Sequence, residues 1–79
     1  MPKYFFNTVD GRRIPDEDGT VLPDLDAAHR KATLALAELL KERPMEVWAD
    51  GGLGIEVTDE AGDRVACVQV SVEVPKTAR

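Results

Sequence analysis

Seventy-nine residues leave room for one folded domain, and the single cysteine excludes an intrachain disulfide. A chain this short buries only roughly 60–65% of the surface its unfolded form exposes, so its thin core calls for a bound metal or self-association. With fifteen acids against ten bases, the net charge of -5 repels phosphate and sets nucleic-acid binding aside unless Arg12, Arg13, Arg30 and Lys31 converge.

The opening MPKYFFNTVD lacks the apolar stretch of a signal peptide, and no run approaches the ~18 apolar residues of a membrane span. With the lone thiol, this predicts a cytoplasmic protein without membrane contact. Tyr4 to Val9 is aromatic and β-branched and predicts a strand, closed by the turn residues Asp10–Gly11. From Arg12 to Leu22 the chain is mixed. Gly19 marks a turn there, and Thr20 to Leu22 is a candidate for a short edge strand.

The helix signal is the clearest. Asp24 is a natural N-cap, Asp26 suits the positive end of the helix dipole, and Pro44 stops the run. Between them Leu25, Ala28, Ala32, Ala35, Leu36, Leu39 and Leu40 form one apolar stripe. Leu34 points away from it, onto the face of Arg30, Lys31, Glu38 and Lys41. Met45 to Gly54 is a glycine-rich connector containing Trp48. Leu53 to Asp59 alternates, with Leu53, Ile55 and Val57 on one face. EAGD supplies a hairpin loop, and Arg64 to Val74 is the longest strand. Its expected faces are Ala66, Val68, Val70, Val72 and Val74 against Val65, Cys67, Gln69, Ser71 and Glu73. The polar segment 75–79 reads as a frayed tail.

These elements predict an α+β fold spanning residues 1–79, in the order β-(β)-α-β-β. A three- or four-stranded antiparallel sheet carries one helix on one face. The longest apolar face belongs to the final strand, which is therefore expected at the centre, between the first strand and Leu53–Asp59. One helix covers one side only. The other side is then left with aromatic surface, because alternation sets Tyr4 and Phe6 against Phe5. The expected interface residues are Phe5, Val9, Leu34, Trp48, Val65 and Cys67, and a homodimer is the expected way to cover them.

The acidic stretch Ile14 to Ala28 invites comparison with a cation-binding loop. An EF-hand needs oxygen ligands at positions 1, 3 and 5, glycine at 6 and a bidentate Glu at 12. Aligning Gly19 at position 6 places Asp16 and Asp18 well, but Ile14 and Leu25 fall on ligand positions. What remains is a weak divalent site at Asp16, Asp18 and Asp24, against the plainer reading of a solvated loop that feeds a helix. Asp50 to Gly54 (DGGLG) leads into a strand rather than a helix, unlike a phosphate cradle. His29 has only Asp26 as a local partner, and Cys67 lies among valines, as packing or interface cysteines do. One Cys and one His cannot hold zinc, which favours self-association as the supplement to the core.

The YFF strand, the passage DG…D..G…PDL.AA, the following helix, and V.DE.G before a last strand together resemble a family of short bacterial proteins defined as a domain of unknown function. The resemblance covers nearly the whole chain and implies a bacterial origin. It carries over no activity, cofactor or catalytic residue. The expectation is therefore a small noncatalytic protein that contacts itself or another protein. A nucleic-acid-associated regulator built on the four basic residues and a cation module at the acidic loop are the alternatives.

Overall fold

The computed structural model describes residues 1–49 and 52–75. Its elements run β1 (Lys3–Val9), β2 (Arg13–Ile14), β3 (Thr20–Val21), α1 (Leu25–Glu42), α2 (Glu46–Ala49), β4 (Leu53–Thr58) and β5 (Arg64–Val70). The strands form one antiparallel sheet ordered β2-β1-β4-β5, with β3 pairing β1 as well. The main helix, α1, packs against it, so the fold is α+β. Residues 50 and 51 of the DGGLG connector and 76–79 of the expected tail lie outside the described residues.

Helix α1 starts as its sequence dictates. Asp24 is extended and its carboxylate accepts the Ala27 amide at 2.9 Å, satisfying one of the donors that a helix start leaves orphaned. The helix stops at Glu42, two residues before Pro44, with the Arg43 amide donating to the Leu39 carbonyl. Ala28, Ala32 and Leu36 are its buried residues. Two alanines in that row let the helix axis lie close to the sheet, mainly over β4 and then over β5. One further turn, α2, follows Pro44 and delivers Val47 into the core, an element that the connector's composition concealed.

The expected centre of the sheet is corrected. β4, not the longer β5, lies between two full strands. Registry explains the choice. Phe6 faces Val57 and Thr8 faces Ile55, while Leu53, Ile55 and Val57 face Val70, Val68 and Ala66. All of these point to α1, and the three β4 residues are buried with Tyr4, Ala28, Ala32 and Leu36. On its other side β4 offers Gly54 and Thr58, both buried, and Glu56, which is hydrogen-bonded. A strand whose outer face is small or polar-satisfied tolerates neighbours on both edges. β5 keeps exposed residues at alternate positions and ends the sheet.

One boundary and one register differ as well. β5 stops at Val70 instead of Val74, because its ladder partner begins at Leu53, opposite Val70. Near its start, Thr58 pairs with Arg64 while Val57 pairs with Ala66, so Val65 is an extra residue in a β-bulge. The bulge turns Val65 onto the core together with Ala66. Val65 was expected on the opposite face, which a strict alternation of two requires and a bulge does not.

Candidate functional site

The acidic stretch is resolved by one residue. β2 pairs with β1 at Thr8 and Val9, and β3 pairs with it at Lys3 and Tyr4, which leaves the middle of that edge without a strand. Asp16 fills the gap. Its Oδ2 accepts the Phe6 amide at 3.1 Å, and its Oδ1 accepts the amides of Asp18 at 3.1 Å and Gly19 at 3.2 Å. Its own amide donates to Asn7 Oδ1 at 2.9 Å. The carboxylate thus does for the Phe6 amide what a neighbouring strand's carbonyl would do. Gly19, at φ 72°, lies against the Phe5 ring. A Cβ there would come within 2.8 Å of Phe5 Cε2 and Lys3 Cε. The Lys3 ammonium sits 5.7 Å from the centre of the same ring.

Asn7 carries this brace across the sheet. It is 1% exposed, although it sits on the side away from α1. Its Nδ2 donates to Thr58 Oγ1 at 3.3 Å and to Glu56 Oε1 at 3.4 Å. The amide orientation follows from its partners, since the Asp16 amide only donates and the Glu56 carboxylate only accepts. Glu56 also accepts from Arg13 Nε at 2.7 Å, and Arg64 Nε stands 3.9 Å from its other oxygen. The side away from the helix is therefore not a bare aromatic surface. Over β1 it is covered by the loop from Asp10 to Leu22, and Phe5 is partly enclosed there.

Both carboxylates are held below their ordinary pKa. For Asp16, partial burial works upward but is outweighed by the amides of Phe6, Gly19 and Asp18 and by the charge of Lys31. For Glu56 the Arg13 hydrogen bond comes first, working against desolvation, with the charges of Arg13 and Arg64 and the Asn7 amide adding to it. The amides of Phe6, Asp18 and Gly19 already take three of the roughly four acceptor sites of the Asp16 carboxylate, which leaves little for a cation. Asp24 is occupied as the helix cap, and the Asp18 backbone is tied to Asp16. Among the described residues no three His, Cys, Asp or Glu side chains gather as a metal cluster.

The opposite edge is different. Among the described residues no strand pairs with the outer side of β5. Beside it runs a shallow groove between His29, Ala32 and Thr33 of α1 and Val65 to Val68 of β5. Cys67 is exposed, so of the packing and interface roles expected for it the first does not hold. It lies on the face away from α1, in one row with Asn7 and Glu56.

A family model described as a domain of unknown function, DUF6894, matches residues 3–71. The chain belongs to the DUF6894 family. No curated protein and no solved structure matches it. The DUF6894 match begins at the first residue of β1 and ends one residue beyond β5, so it takes in the Asp16 brace and the free edge together.

The remaining expected residues of this DUF6894 chain are scattered. Val9 lines a depression at one end of the sheet with Gly11, Gly54 and Gln69. Trp48 is 52% exposed in α2. Leu34 is 58% exposed on the flank of α1 away from β5, beside Leu22, Ala27 and Ala35. The basic residues do not converge: Arg13 binds Glu56 on one side of the sheet, while Arg30 and Lys31 ride on the helix over the other. No helix among the described residues is long and apolar enough to cross a membrane. Asn7 and Glu56 were not foreseen as a pair. The available signal was a polar residue inside an aromatic strand, matched by a lone acid inside an apolar one.

Proposed function

We propose that this chain is a noncatalytic protein-interaction module of the bacterial cytosol, and that the outer edge of β5 takes an extended segment of another protein as an added strand. That no strand among the described residues pairs with that edge carries the reading. Edge strands in monomers are blunted by lysine, proline, a bulge or a covering element. β5 has its bulge at Val65, at one end, and from Ala66 to Val70 it holds neither lysine nor proline. The groove beside it offers apolar contact for alternate side chains of an incoming strand, the combination that strand-addition modules use.

The polar residues on the sheet support a noncatalytic role because they are committed to one another. Asp16, Asn7 and Glu56 hold structure through their hydrogen bonds, and a general base needs a free lone pair aimed at substrate. A single exposed thiol suits a reducing compartment.

Peptide-library panning on the full chain tests the proposal. Enriched peptides are expected to alternate apolar and polar residues and to slow exchange of the β5 amides. Their binding should fall about tenfold in a C67K/Q69K variant that keeps its circular dichroism, since lysines guard an edge. Slow exchange of every β5 amide in the dilute free chain would refute the reading, as would binders indifferent to the two lysines.

A further inference from the structure

The flank of α1 turned away from the β5 groove carries a self-complementary pattern. Leu34 stands at its middle, more than half exposed, and Leu22, Ala27 and Ala35 continue the apolar surface around it. Arg30 and Lys31 lie on the N-terminal side of Leu34 in this patch and Glu38 on its C-terminal side. Among the described residues neither Arg30 nor Glu38 takes part in an ion pair. Lys31 is placed 5.3 Å from the centre of the Phe6 ring, which keeps its charge at the rim of the patch.

We propose that two copies of the chain pair through this flank, their α1 helices antiparallel about a two-fold axis at Leu34. The charges select that arrangement. Arg30 and Glu38 lie four residues to either side of Leu34, about 6 Å along the axis each way. An antiparallel crossing sets each Glu38 against the Arg30–Lys31 pair of the other copy, twice by symmetry. A parallel crossing sets like on like. Ala27 and Ala35 provide the small surfaces that close helix approach requires. Between Ala27 and Lys41 this flank carries Arg30, Lys31 and Lys41 against Glu38, so the attraction across the axis comes from the two Glu38 contacts. The β5 edges lie on the far flanks, so a dimer of this kind presents two of them.

Sedimentation equilibrium on the full chain and on charge-reversed variants tests the pairing. The wild type is expected to dimerise in the micromolar range. R30E alone and E38R alone each set two like-charge contacts across the axis and should weaken association about tenfold. An equimolar mixture of the two should recover it, because each supplies what the other lacks. The double swap R30E/E38R, whose net charge equals the wild type's, should also recover it. L34E abolishes pairing while circular dichroism stays unchanged. A strictly monomeric wild type at high micromolar concentration would overturn the proposal. So would a mixture that stays as weak as its components, or dimers lost in C67K/Q69K but kept in L34E.

Discussion

The two edges of this sheet meet the same problem in opposite ways. At the β1 edge, β2 and β3 pair with the two ends of the strand, and Asp16 occupies the gap between them with one amide and two carboxylate oxygens. At the β5 edge no strand arrives among the described residues, and β5 carries a bulge at Val65. A sheet edge can thus be closed by a single side chain when a loop is long enough to return along it. After β5 the described chain continues only to Pro75 without pairing again.

Breaking the closed edge should have the largest effect. Asp16→Ala leaves the Phe6 amide without its acceptor and releases the Asp18 and Gly19 amides, for an expected loss of about 2–3 kcal/mol. Urea unfolding measures it, and amide exchange at Phe6 should accelerate specifically. A loss below about 0.5 kcal/mol would mean that water replaces the carboxylate at no cost.

Acid sharpens the contrast by acting on the Asp16 brace and on Glu56. Asp16 and Glu56 both have folded pKa values below their ordinary 3.8 and 4.5. A depressed carboxylate contributes stability that is complete above its unfolded value and is lost as pH falls through the folded one. Stability should therefore be level at neutral pH and decline from about pH 5 downward. The decline should be shallower in Glu56→Gln, with thermal melts between pH 2 and 7 as the measurement. An unchanged slope in that variant would remove Glu56 from the account.

The smallest effect belongs to the open edge. Cys67→Ser changes an exposed side chain with no hydrogen bond to lose and should shift stability by less than about 0.5 kcal/mol. A larger loss in the same urea assay would show that β5 is buried in solution.

Local chemistry was legible in the sequence. Asp24 as cap, the Ala28–Ala32–Leu36 row, the short strand at Thr20 and the hairpin before Arg64 all follow from rules that act within a few residues. What depended on distant partners was not. The rank of β4 over β5 rests on Glu56 finding Arg13 and Asn7, more than forty residues away. The bulge at Val65 is invisible to alternation alone. Asp16 was one of five acids in its stretch, and its spacing to Gly19 was the trace of the turn that it closes. The interface residues chosen for their hydrophobicity were spread over separate surfaces because exposure is a property of packing.

The position of β4 also bears on how the chain can be assembled as it is synthesised. Its neighbour β5 follows directly after a hairpin, whereas Asn7 of β1 and Glu56 of β4 are 49 residues apart. Closing the longer loop costs roughly 2 kcal/mol more in chain entropy than closing the short one. A growing polypeptide therefore holds its aromatic first strand with only the short β2 and β3 beside it, and the apolar stripe of α1 without β4, until the residues from Leu53 onward leave the ribosome.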